Sequence, residues 1–160
     1  MEIRRAKTTD IPGLLTLLQQ IGQLHQQGRP DIFRSDAQKY DAAQLDALLA
    51  DPDRPILVAA QENTVFGYAF CVRKEITGHS VLKDDRCLYI DDLCVDAACR
   101  GQGVGTQLYH AAQKLAKEMG LRRITLNVWA FNKQALAFYE KCGMTMERIF
   151  MEAPVEDSQC

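Results

Sequence analysis

Apolar residues recur along this chain with two periods, and the changes of period mark its elements. Glu2 to Ala6 reads as a short first strand. Leu14, Leu17, Leu18, Ile21 and Leu24 then recur at helical spacing. Thr9-Asp10 offers an N-cap and Pro12 falls in the first turn, which predicts a helix to about Gln26. Gly28-Arg29-Pro30 stops it. Asp41 to Leu49 predicts a shorter helix with Leu45, Leu48 and Leu49 inward, followed by a loop at Asp51-Pro52-Asp53-Arg54-Pro55. Ile56–Ala60 and Val65–Glu75 read as a hairpin turned at Glu62-Asn63. A polar loop from Gly78 to Asp85 leads to a strong strand, Cys87–Val95. Val104, Leu108, Ala112, Leu115 and Met119 mark one face of a helix that Gly120 ends. Ile124–Trp129 is a strand, Asn132 caps a helix through Ala135, Phe138, Tyr139 and Cys142 up to Gly143, and Thr145–Glu152 is a last strand.

Antiparallel strands come first and βαβ units follow, so the pattern predicts an α/β protein with a mixed sheet and helices on both faces. The strands from Cys87 and Ile124, joined by a helix, are predicted to be parallel neighbours with a right-handed crossover.

Composition narrows the function classes. A chain of 160 residues, 47% hydrophobic and 25% charged, suits one soluble domain over residues 1–160. A net charge of −2 supplies no basic field for nucleic acid. No apolar run approaches a membrane span, and no apolar stretch follows Arg4-Arg5 as a signal peptide requires. A cytoplasmic protein is therefore expected. Cys71, Cys87, Cys94, Cys99, Cys142 and Cys160 form no C-x-x-C pair and match no zinc spacing; with the scattered His25, His79 and His110 they predict free thiols and no metal.

The segment Arg100-Gly101-Gln102-Gly103-Val104-Gly105 joins a strand to a helix start. Glycines there permit positive φ and close approach of a ligand. The first helical N–H groups lack intrahelical partners and the dipole adds positive charge, so the turn suits an anion, phosphate above all. Arg100 adds a charge-assisted donor. No Lys follows Gly105, as a P-loop needs, and the glycine spacing is wrong for the dinucleotide fingerprint. A purely structural turn is the alternative.

Arg100-x-x-Gly103-x-Gly105 resembles the R/Q-x-x-G-x-G/A acetyl-CoA motif of the GNAT N-acetyltransferase superfamily, and "NVWAFNKQALAFYEKCGM" resembles its second motif, N-x-x-A-x-x-F-Y. The similarity extends over essentially the whole chain, and "YIDDLCVDAACRGQGVG" is closest to spermidine/spermine-type acetyltransferases, which carry two acidic residues at the positions of Asp91 and Asp92. The resemblance implies a GNAT fold of about six to seven strands in which two splayed parallel strands hold CoA. It implies acetyl-CoA as co-substrate, its pyrophosphate on Gly101, Gln102, Gly103, Val104, Gly105 and Thr106 with Arg100 nearby, and its pantetheine arm along the backbone of Leu93, Cys94 and Val95. Asn132 and Ala135 would border that arm, and Tyr139 would lie near the thioester sulfur and protonate the leaving thiolate. Homodimers are common in the family.

Strand alternation puts Tyr89, Asp91, Leu93 and Val95 on one face and Ile90, Asp92 and Cys94 on the other. A buried carboxylate needs a partner, a cation or a wet cleft. The expected catalytic carboxylate is Asp91, as general base or amine-binding acid, with Asp92 second and paired structurally to Arg73 or Arg148. In this family the first two helices and their loop shape the acceptor pocket, so His25, Asp31 and Phe33, with Tyr89 beside Asp91, are the candidate substrate contacts. The expected function is acetyl transfer to a primary amine (a small cationic amine, a polyamine, or a lysine or N-terminal amine) by direct attack in a ternary complex. The alternatives are a non-catalytic CoA-binding sensor or regulatory module, and a nucleotide-binding protein.

Overall fold

The computed structural model describes residues 1–155; Cys160 lies outside the described residues. Five strands form one sheet in the order β1 (Glu2–Arg5), β2 (Ile56–Gln61), β3 (Thr64–Ile76), β4 (Asp85–Val95), β5 (Arg123–Leu126). Strands β1 to β4 pair antiparallel, and β4 pairs β5 in parallel. The mixed α/β fold agrees with the sequence pattern.

Each sheet face carries its own apolar layer. Leu14, Leu17 and Leu18 of α1 (Ile11–Gly28) and Leu45 of α2 (Ala42–Leu49) pack on Ile56, Val58, Tyr68 and Phe70. Val104, Leu108, Ala112 and Leu115 of α3 (Val104–Glu118) pack on Leu57, Ala69, Leu88 and Ile90, and Phe138 and Tyr139 of α4 (Lys133–Lys141) close the same layer. α2 begins with a reciprocal cap: Gln44 N–H donates to Asp41 Oδ1 at 2.8 Å and Asp41 N–H to Gln44 Oε1 at 2.9 Å.

Asp10 occupies the N-cap position of α1, as expected, but its side chain turns away from that helix. It ends a short 3₁₀ turn, Thr8–Asp10, and its fully buried carboxylate accepts from Arg4 Nη1 at 2.6 Å, Arg4 Nη2 at 3.0 Å and Lys7 N–H at 2.7 Å. Burial alone would lift the Asp10 carboxyl; the Arg4 fork and the Lys7 amide outweigh it and hold it below its usual range. Asp10→Ala would leave Arg4 with Glu2 as its remaining carboxylate and the Lys7 N–H without its acceptor, so it is expected to destabilise the fold by about 1–3 kcal/mol in denaturant unfolding. A depressed carboxyl pKa contributes stability above its unfolded value, about 3.9, and loses it as pH falls through the folded value. The deficit of the variant should therefore shrink in acid, and a deficit constant down to pH 2 would refute this account.

Two expectations change. β5 ends at Leu126 rather than Trp129. Among the described residues there is no strand over residues 145–152, so the sheet has five strands instead of six or seven. A strand needs a partner ladder, and this segment finds none. It is tied by side chains alone, Glu147 to Arg123 at 3.5 Å and Glu152 to Arg29 at 2.6 Å, and leaves Ile149 and Phe150 exposed.

Candidate active site

β4 and β5 pair only from Cys87↔Arg123 to Ile90↔Leu126. β4 then runs on to Val95, still paired with β3, while β5 has ended. The peptide groups of Asp91–Val95 that face the β5 side thus have no strand partner, a bare edge inside a sheet that can accept an extended chain. At its far end Arg100 Nε donates to the Val95 carbonyl at 3.1 Å.

The side chains above this gap depend on a bulge. Phe70 pairs with Asp92 but Cys71 pairs with Ile90, so Asp91 is an extra residue on β4. The bulge reverses the alternation. Leu88 and Ile90 before it, and Leu93 and Val95 after it, pack into the same α3-side layer. Cys94 packs toward α1. The expectation that Ile90 shares a face with Asp92, and that the two aspartates point to opposite sides, is therefore corrected. One ammonium, Lys39 Nζ, reaches both carboxylates, Asp91 Oδ2 at 2.8 Å and Asp92 Oδ2 at 3.8 Å. Their partner is neither Arg73, which pairs with Asp53 and Glu75, nor Arg148.

The two carboxylates differ in setting. Asp92 is the more enclosed, with 9% of its side chain exposed against 27% for Asp91, and it accepts from Tyr68 Oη at 3.0 Å. Burial raises the Asp92 carboxyl above its usual range, against the lowering pull of Lys39, Tyr68 and His25. Tyr139, on α4, has its phenol pushed up by burial first and by the Asp92 charge second, so it stays protonated. Asn132 caps α4 by accepting from Ala135 N–H at 3.0 Å, which fixes the helix that carries Tyr139.

At the end of β4, Gly101 (φ 76°) and Gly103 (φ 81°) adopt left-handed backbone, and space beside both is open. Gly103 precedes α3 without any side-chain cap, leaving the first N–H groups of that helix, from Val104, Gly105 and Thr106, free of a capping side chain. Gly105 serves differently. It lies within α3, and a Cβ there would sit 3.3 Å from the Phe138 ring. Gln102 Nε2 donates to the Ala98 carbonyl at 3.2 Å, bracing the turn.

The candidate acceptor contacts separate into two groups. His25 stacks on Phe33 at 5.1 Å between centroids, and Phe33 meets Trp129 edge-on at 5.1 Å. Burial holds the His25 imidazole below its usual pKa, with Asp92 pulling it up and Lys39 pulling it down. Tyr89 accepts from Asn127 Nδ2 at 3.1 Å and lies under Lys74 Nζ, 3.5 Å from the ring centroid. Asp31 stands apart: it is exposed and held by a two-pronged contact from Arg29 at 2.9 and 2.7 Å. Sequence reasoning missed Lys39, Tyr68 and Trp129. Lys39 sits in the same inter-helix loop that supplied Asp31 and Phe33, and a cation close to an acidic pair in space leaves no signal in linear order.

Burial pushes the Cys71 and Cys94 thiols up to about 12, so neither offers a thiolate. Among the described residues no cluster of His, Cys, Asp or Glu could hold a metal, and no helix is long and apolar enough to cross a membrane.

A strand edge opened inside a sheet, an uncapped helix start beyond it and a carboxylate pair on the opened strand make up the candidate site. The profile of the acetyltransferase (GNAT) family matches residues 18–144, and the chain belongs to that family of acetyl-CoA-dependent acetyltransferases. A rice protein (Oryza sativa subsp. japonica) named probable glucosamine 6-phosphate N-acetyltransferase 2 is 29% identical over 158 residues, covering 94% of this chain and 86% of its own. The uncharacterized N-acetyltransferase YhfO of Bacillus subtilis is 29% identical, covering 89% of each chain. A mutant of the BH1408 protein from Bacillus halodurans superposes with a TM-score of 0.92 at 29% identity, over 98% of this chain and 100% of that one. An aminoglycoside N-acetyltransferase solved with CoA has the same fold, with a TM-score of 0.72 at 15% identity over 96% of this chain and 99% of its own.

Proposed function

We propose that residues 1–160 form one cytoplasmic N-acetyltransferase domain that moves the acetyl group of acetyl-CoA to a primary amine by direct attack in a ternary complex. The observation that carries this reading is the seating of an ammonium, Lys39 Nζ, 2.8 Å from Asp91 and 3.8 Å from Asp92. A site that already holds one ammonium has the chemistry to receive another.

In this reading the pyrophosphate lies on the N–H groups of Gly101 to Thr106, with Arg100 beside it. The open space at Gly101 and Gly103 supports that placement. The arm adds as a strand along Leu93, Cys94 and Val95, bordered by Asn132 and Ala135. Asp91 holds the incoming ammonium, and Asp92 takes its proton, directly or through water. The freed lone pair attacks the thioester carbonyl, the C–N bond forms, the C–S bond breaks, Tyr139 donates a proton to the leaving sulfur, and the second proton of the acylated nitrogen passes through water to the Tyr139 phenolate, leaving a neutral amide. The raised thiols of Cys71 and Cys94 argue against an acyl-enzyme. His25, Phe33, Trp129 and Tyr89 flank the carbon body of the acceptor, and Asp31 serves as a loop staple. The exposed Ile149 and Phe150 support a homodimer that covers them, which sedimentation equilibrium reads directly as mass.

The test is thiol release from acetyl-CoA with a panel of primary amines. Turnover dependent on amine is expected. Tight CoA binding with no turnover on any amine would leave the sensor reading in its place.

A further inference from the structure

We propose that Lys39 sets the charge of the acceptor: with its ammonium in place the site takes amines bearing one positive charge and discriminates against diamines and polyamines. The inference rests on the N-acetyltransferase reading above and narrows its substrate class. The double-aspartate motif by itself suggests the opposite, since two free carboxylates suit a dication.

Lys39 is held where it is by its neighbours. Tyr40 stacks on Phe70 at 5.6 Å in the α1-side core, and its hydroxyl accepts from Arg54 Nη2 at 3.3 Å. Asp41 is locked into the cap of α2. Residue 39 is thus tethered by a half-buried aromatic ring and a helix start, and its side chain extends over β4. Burial alone would lower the Lys39 ammonium, but Asp92 and Asp91 outweigh it and keep it charged.

The charge around the pair then follows. Asp91 and Asp92 contribute two negative charges and Lys39 removes one, while burial holds the His25 imidazole below its usual pKa and so opposes a further positive charge there. A second cation stands at the outer end, where Lys74 Nζ lies over the Tyr89 ring and Tyr89 neighbours Asp91. One acceptor ammonium balances the remaining charge. A second ammonium a few methylenes away meets Lys39 or Lys74, and like charges at such separations repel strongly in a partly desolvated cleft. Lys39 still has 38% of its side chain exposed, so it narrows the site without filling it.

The experiment compares hexylamine with 1,6-diaminohexane, matched in length and differing in one charge. It uses kcat/KM and, independently of turnover, calorimetric affinity for the CoA-loaded protein. The protein is expected to favour hexylamine at least tenfold. Lys39→Met should shift the ratio toward the diamine by at least tenfold, Lys39→Arg should keep it, and Lys114→Met, far out on α3, should leave it alone. A diamine preference in the unaltered protein, or a ratio that Lys39→Met moves by less than twofold while both rates fall, overturns the proposal. Turnover with an unmoved ratio defeats the charge rule alone. A charge-selective affinity without turnover defeats the enzyme reading and leaves the charge rule standing. No binding of either amine defeats both.

Discussion

Tyr139→Phe is expected to lower kcat by about 100-fold while leaving CoA affinity within about twofold, as befits loss of a general acid that takes no part in cofactor binding. The ring is retained, so its packing on the α3-side layer should survive. Burial and the Asp92 charge keep the phenol protonated, and the same two causes make a free phenolate costly there. In the proposed mechanism the proton would therefore pass as the C–S bond breaks rather than before it. The two proton transfers would assist each other: once Asp92 had taken the proton of the amine, its charge would no longer oppose loss of the Tyr139 proton. Stopped-flow single turnover isolates the chemical step, and a rate equal to that of the unaltered protein would remove Tyr139 from the mechanism.

The architecture was legible because most elements carry a full period of apolar positions. Leu14, Leu17 and Leu18 on α1 and Val104, Leu108 and Ala112 on α3 were assigned to helix faces from spacing, and they pack on opposite faces of the sheet. The tail was misread for the same reason. Thr145–Glu152 has strand-like composition, but a strand is a property of a pair, and composition says nothing about whether a partner edge is in reach. The glycine motif was read as one unit. In the structure Gly101 and Gly103 make the left-handed turn and Gly105 is a packing position against Phe138.

The bulge at Asp91 had the largest consequence. Alternation is a rule for unbroken ladders, and an extra residue inverts it for everything downstream. No residue type here marks the bulge, because the register break is set by how β3 and β4 align over their whole length. Only the three-dimensional pairing shows that Asp91 and Asp92 meet the same cation. Lys39, 52 positions upstream of Asp91, is invisible to any local reading for the same kind of reason.

That change of geometry reorders the two aspartates, and Asp92→Asn is expected to be the more damaging substitution. It should lower kcat by about 100- to 1,000-fold. Asp91→Asn should act mainly through KM, by about tenfold, since Asp91 is the more exposed and binds ammonium directly. The pH profile separates the roles. A base with a raised pKa works only when ionised, so the rate should fall as pH drops through the raised value of Asp92, and that acidic limb should vanish in Asp92→Asn. Stability should move the other way. The folded state binds the Asp92 proton more tightly than the unfolded chain, so ionised Asp92 costs stability as pH rises from the unfolded value, about 3.9, through the folded one. Above that window Asp92→Asn should melt at the same temperature as the unaltered protein or higher, its amide oxygen still accepting from Tyr68, and the difference should close in acid. An Asp92→Asn protein that loses activity and melts lower at pH 7 would mean that the carboxylate holds the fold together and does not do the chemistry. If Asp91→Asn lost more of kcat than Asp92→Asn, the base would be the residue on the bulge itself.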